Sequence, residues 1–134
     1  MTSARLILPE PLCTQLLAAA RAALPQECCG LLEGVRDGET VCVVALHPAA
    51  NVSLAPETGF EIDPAAHFAL QRALRGTERA VVGCYHSHPN GRAEPSPRDR
   101  AGSCEDGWIW VIIATGVIDR LAAYEAPAFT PLAF

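Results

Sequence analysis

His86 and His88 flank a single serine, and Asp99 follows eleven residues after the second histidine. On an extended chain, residues i and i+2 point to the same face, so both imidazoles can reach one ion. A carboxylate returning across the intervening loop can supply a third ligand. Two histidines and a carboxylate leave the fourth tetrahedral position open for water, the pattern of a catalytic rather than a structural zinc. The same residues have plainer readings. A His-x-His pair also suits a polar surface turn. Ser96-Pro-Arg-Asp99 reads equally as a helix start, with serine at the cap, proline at the first position and an acid three residues after the cap. A capped helix is also a rigid way to aim Asp99, so the two readings are compatible.

Glu27 stands alone in Pro25-Gln-Glu-Cys-Cys-Gly-Leu-Leu32, a stretch that otherwise reads as core. A carboxylate at the edge of a buried strand costs free energy unless it is paired or useful. Its alternative is a solvated residue in a helix-to-strand turn.

The elements that must position these groups follow from period and punctuation. Residues 4–8 suggest an edge strand. Leu12, Leu16, Leu17, Ala20 and Leu24 recur at helical intervals from Pro11 until Pro25 stops them. Cys28–Leu32 and Thr40–Leu46 read as strands joined through an Asp37-Gly38 hairpin turn. Gly59–Asp63 alternates like a half-buried strand. Asp63 then caps a helix that opens with Pro64, carries Phe68, Leu70 and Leu74, and ends near Gly76. Ala80–Tyr85 is a buried strand running directly into His86, where sites commonly form as the chain leaves a sheet. Residues 89–97 form a loop and a short helix begins at Pro97. Trp108–Ala114, Arg120–Glu125 and Thr130–Phe134 complete the strands. The expectation is a mixed α/β sheet sandwiched by helices, in one domain spanning residues 1–134.

Bulk properties narrow the function class. The chain has 134 residues, half of them hydrophobic, with net charge −5. That charge repels phosphate backbones and gives nucleic-acid binding no support. No apolar stretch is long enough for a membrane span, and the run before Pro9 is too short for a signal peptide, which predicts a cytoplasmic protein. All ten basic residues are arginine, so no lysine side chain is available as an isopeptide acceptor. The six cysteines include no C-x-x-C pair; Cys28, Cys29, Cys42 and Cys84 read as small buried hydrophobes. A thiol enzyme built on Cys84 or Cys104 is a competing reading, with packing favoured for Cys84. Phe129 and Phe134 suit either a dimer contact or the core, which leaves the oligomeric state open.

Taken together, Pro-x-Glu-x-Cys-Gly-Leu-Leu, His-Ser-His-Pro and Pro-Ser-x-x-Asp resemble the JAMM (MPN+) metallopeptidase family, specifically its short stand-alone bacterial members. The resemblance covers essentially the whole chain and implies a cytidine-deaminase-like JAMM/MPN fold. It implies one zinc ion per chain held by His86, His88 and Asp99. It further implies Glu27 as general base and Ser96 as a hydrogen-bond donor to the developing oxyanion. The substrate it implies is a ubiquitin-like or sulfur-carrier protein with a Gly-Gly C-terminus, cut at a peptide or isopeptide bond after that tail. Asn90-Gly91-Arg92 and Glu57–Phe60 are candidate walls for the tail. The longer insertions of deubiquitinating members are absent. The alternative is a non-catalytic MPN-type binding module. A zinc deaminase would need His-x-Glu and Pro-Cys-x-x-Cys, and the chain has neither.

Overall fold

The computed structural model describes residues 4–102 and 105–134. Ten elements run β1 (Arg5–Ile7), α1 (Glu10–Ala23), β2 (Cys29–Asp37), β3 (Thr40–Ala49), α2 (Pro64–Leu74), β4 (Arg79–His88), α3 (Pro97–Ala101), β5 (Ile109–Ala114), β6 (Arg120–Glu125) and β7 (Thr130–Leu132). The strands form one mixed sheet in the order β1-β3-β2-β4-β5-β6-β7. Strands β1/β3 and β4/β5 are parallel and the remaining pairs antiparallel.

Helix α1 covers one face. Its Leu16 and Ala20 pack with Leu32, Val82, Val111 and Ile113 in one core cluster. Helix α2 lies over the other face, where Leu70 and Leu74, with Phe60 and Ile62 of the preceding loop, meet Leu31, Cys84, Trp108 and Trp110. Alternation along β5 divides the two cores: Ile109, Val111 and Ile113 belong to the first and Trp110 to the second.

One irregularity decides where the histidines point. The β2/β4 register shifts between Leu32, opposite Gly83, and Glu33, opposite Val81, which leaves Val82 unopposed. The extra residue reverses the alternation. Val82 belongs to the α1 core, yet Cys84, two residues on, belongs to the α2 core. His86 and His88 follow Cys84 in phase, and His86 lies against Phe60 and Trp110 on the α2 side.

Several expectations need correction. Gly59–Asp63 is not a strand, although its burial does alternate. Its backbone finds no ladder partner because the Asn51 side chain supplies one, accepting from Glu61 N–H at 3.1 Å and donating to Gly59 C=O at 3.0 Å. The hairpin loop is Gly38-Glu39, with Asp37 still paired to Thr40. Gly38 takes φ +61°, as the first position of a type II′ turn requires. Phe68 is 68% exposed because it sits on the outer side of α2. Phe129 is core and Phe134 is exposed. Cys29 and Cys84 are buried as expected, whereas Cys28 and Cys42 are only half-buried; Cys104 lies outside the described residues.

Candidate metal centre and hydrolytic site

Glu27 and His86 are fifty-nine positions apart (86 − 27), and antiparallel pairing brings them together. Because β2 runs against β4, the start of β2 lies beside the end of β4, with Cys29 opposite His86. Ser87, whose side chain points away from the histidines, fastens this junction. Its hydroxyl accepts the Cys28 N–H at 2.8 Å, and its own N–H donates to the Cys28 carbonyl at 3.1 Å. Asp99 comes back across the loop on α3. Ser96 caps that helix by accepting the Asp99 N–H at 3.0 Å, while Asp99 Oδ2 accepts the Ser96 N–H at 2.9 Å. The capping box expected from the sequence is formed, and it holds the Asp99 carboxylate against the two histidines.

Three donor atoms meet at one point. His86 Nε2 and His88 Nε2 are 3.0 Å apart, and Asp99 Oδ2 lies 3.0 Å from the first and 3.1 Å from the second. Tetrahedral zinc with bonds of about 2.0–2.1 Å places its ligands ~3.3 Å apart. This triangle is slightly tighter, and one ion at that bond length can touch all three corners. All three side chains are buried. His88 Nδ1 lies 2.8 Å from the Arg92 carbonyl, an arrangement that fixes a proton on Nδ1 and faces Nε2 into the triangle. His86 Nδ1 has no such partner. Its ring is held by packing instead, stacked on Phe60 at 4.3 Å and 19°, with Trp110 edge-on at 5.8 Å.

Glu27 is the fourth group. Ligand atoms of Glu27, His86 and His88 all lie within 4.8 Å of one another. Glu27 therefore stands within reach of the same point as the two histidines. Its Oε1 is buried with no hydrogen-bond partner, a costly arrangement for a carboxylate with nothing to bind.

Charge in the site is sharply divided. Burial pushes the Glu27 carboxyl up to about 7, against the pull of His88; Asp99 adds to the rise and Arg98 opposes it. Burial alone would raise Asp99 as well, but hydrogen bonds from His86 and His88 hold it far below the ordinary carboxylate range. Burial lowers His86, whereas in His88 the Asp99 hydrogen bond and the Arg92 carbonyl outweigh burial and raise it. One protonated-leaning carboxyl beside one firmly ionised carboxylate is the pairing expected of an acid–base group next to a ligand.

The site opens into a cleft of about 500 Å³. Its lining includes Glu27, Glu57, Thr58, His88, Arg92 and Ser96.

The sequence model for prokaryotic homologs of the JAB domain matches residues 9–128. The chain belongs to this family. It is a hydrolase of the JAMM type. A desampylase from Haloferax volcanii is 34% identical over 129 residues, covering 93% of this chain and 90% of that protein. A probable TtuB-protein conjugate cleaving protease from Thermus thermophilus is 42% identical over 91 residues, covering 63% of this chain and 56% of the relative. The crystal structure of AF2198, a JAB1/MPN domain protein from Archaeoglobus fulgidus, superposes with a TM-score of 0.64 at 21% identity. That superposition covers 97% of this chain and 95% of the other, and it shows the shared JAB fold.

Of the five residues singled out by sequence in this JAB-domain chain, Glu27, His88 and Ser96 line the cleft, while His86 and Asp99 are buried behind it, in contact with His88. The supporting residues Asn51 and Ser87 are not legible in the sequence. Asn51 lies in a turn-rich stretch where asparagine is unremarkable. Phe60 falls within the candidate wall Glu57–Phe60, and the structure stacks its ring on His86. Ser87 offered a signal in hindsight, since a serine between two same-face histidines must face the opposite neighbour.

Proposed function

We propose that residues 1–134 form one metallopeptidase domain that hydrolyses a peptide or isopeptide bond after the Gly-Gly tail of a ubiquitin-like or sulfur-carrier protein. The observation that carries this reading is the triangle of His86 Nε2, His88 Nε2 and Asp99 Oδ2 beside the unpartnered Glu27 Oε1. The Haloferax desampylase and the Thermus conjugate-cleaving protease support the substrate class.

His86, His88 and Asp99 would hold one zinc ion per chain. When bound, zinc supplies Lewis-acid activation of water and of the scissile carbonyl at neutral pH. Glu27 takes the proton from the attacking water and delivers it to the leaving amine, a role that needs a pKa near the working pH. Glu27 begins at about 7 in the metal-free site, and a neighbouring cation draws it down toward the base form. Ser96 Oγ is an acceptor in the cap, so its hydrogen is free of that bond and donates to the carbonyl oxygen as negative charge develops. A glycine tail suits the cleft because its backbone can lie close to the walls.

The test combines zinc content with cleavage of a Gly-Gly-extended carrier by wild type, His88→Ala, Glu27→Gln and Ser96→Ala proteins. Expected are about one zinc per chain in wild type and Glu27→Gln, little in His88→Ala, and turnover reduced ~10²–10⁴-fold in Glu27→Gln. Ser96→Ala should lose ~10²-fold. Zinc-replete wild type that leaves every such carrier intact would mark the domain as a binding module.

A further inference from the structure

The Asn51 side chain makes five hydrogen bonds behind the cleft without lining it. Its Nδ2 donates to the Glu27 carbonyl at 3.1 Å, the Gly59 carbonyl at 3.0 Å and the Pro56 carbonyl at 3.4 Å. Its Oδ1 accepts the Ser53 and Glu61 N–H groups, each at 3.1 Å. Three carbonyls on one end and two N–H groups on the other fix the amide orientation and saturate both ends. The Pro56 carbonyl in turn accepts the Glu27 N–H at 2.7 Å.

Two pieces of the site therefore hang on one side chain. The Glu27 peptide is held on its carbonyl side by Asn51 directly and on its N–H side through Pro56. The peptide groups on either side of Phe60 are held as well, through Gly59 C=O and Glu61 N–H, and the Phe60 ring stacks on His86. Among the described residues, no other hydrogen bond joins the 51–61 loop to the Glu27 turn, apart from the Pro56 bond that Asn51 also touches.

We propose that Asn51 is a positioning residue for the hydrolytic reaction, acting through the backbone of Glu27. This rests on the reading of Glu27 as general base. An acid–base group misplaced by a fraction of an ångström loses rate without losing substrate affinity. The sharpest variant is Asn51→Asp. It keeps the two bonds to Oδ1, replaces the donated bonds by oxygen facing three carbonyl oxygens, and scarcely changes volume.

The experiment follows kcat and KM on a Gly-Gly-extended carrier with zinc in excess. Zinc content and amide hydrogen exchange of the metal-free protein are measured alongside. In Asn51→Asp, kcat should fall at least 10-fold, with KM within about threefold and zinc still near one per chain. Exchange at Glu27 and Cys28 should quicken about 10-fold, while Val111 in β5 is unchanged. Faster local exchange with unaltered kcat, or unaltered local exchange, overturns the proposal. If Asn51→Asp does not fold, Asn51→Ala, which removes the same bonds without oxygen–oxygen repulsion, takes its place. Exchange that quickens throughout the sheet in that variant, with zinc lost in proportion to activity, means a structural role only and also overturns it. Wild type that cleaves no carrier defeats the functional reading instead, and the exchange data then judge by themselves whether Asn51 holds Glu27.

Discussion

At the scale of single residues, the site is organised by contrast between two carboxyls 72 positions apart in the chain (99 − 27). Asp99 is ionised because its Oδ2 accepts the Ser96 N–H and lies within 3.1 Å of two imidazole nitrogens. Glu27 leans toward its neutral form because burial leaves its oxygen without one. The consequence is a pH-dependent cost in the metal-free fold. With a folded pKa of about 7, raised above its ordinary value, Glu27 costs nothing below the unfolded pKa. The cost grows as pH rises from there to about 7 and stays constant above. Glu27→Gln should accordingly stabilise chelator-treated protein at pH 8 by about 1–2 kcal/mol and have little effect at pH 4.5, as read by urea unfolding at both pH values. A Glu27 that was paired or solvated would give no such difference.

At the scale of elements, the site depends on how closely β4 approaches its neighbours. A Cβ on Gly83 would collide with the Ile109 carbonyl oxygen in β5. Gly83→Ala must push β4 and β5 apart just upstream of the histidines. We expect a loss of about 3 kcal/mol or more, together with weakened zinc binding, measured by thermal unfolding and metal titration. A second element-scale contact ties β2, β3 and β4 together away from the cleft. Buried Glu33 meets His47 at 2.8 Å and Arg79 at 2.9 Å. The His47 hydrogen bond, followed by Arg79, holds the Glu33 carboxyl below its usual range despite burial. Its contribution is complete above the ordinary glutamate pKa and drains away as pH falls through the lowered folded value. Both partners are substantially exposed, which limits the effect to about 1 kcal/mol. The stability gap between wild type and Glu33→Gln should be open at pH 6 and closed at pH 2–3. An equal gap at both would mean the contact does not depend on the ionised carboxylate.

At the scale of the whole molecule, the parallel pair β4/β5 and the antiparallel pair β2/β4 aim three chain segments at one end of the sheet. No helix among the described residues is long and apolar enough to cross a membrane. Because His86, His88 and Asp99 come from β4 and α3, an ion held by them cross-links strand, loop and helix. Zinc that binds only the folded chain must therefore stabilise it. At a free concentration of 100 times Kd the gain is about 2.7 kcal/mol. Chelation should lower the melting temperature of wild type and leave that of His88→Ala almost unchanged. An equal shift in both proteins would place the bound metal elsewhere.

The sequence by itself determined the chemistry-bearing residue types, their spacing, the helix caps at Asp63 and Ser96, and the alternation that separates the two faces of β5. These are local properties, set by side-chain identity and by periods of two and 3.6 residues. Tertiary structure alone decided which face the histidines occupy, because the unopposed Val82 reverses the phase of β4 and no local pattern announces it. It also decided that Gly59–Asp63 forms no strand. The peptide groups there are satisfied by Asn51, a side chain eight to ten residues away, and that choice between side chain and neighbouring strand is made only when the chain folds.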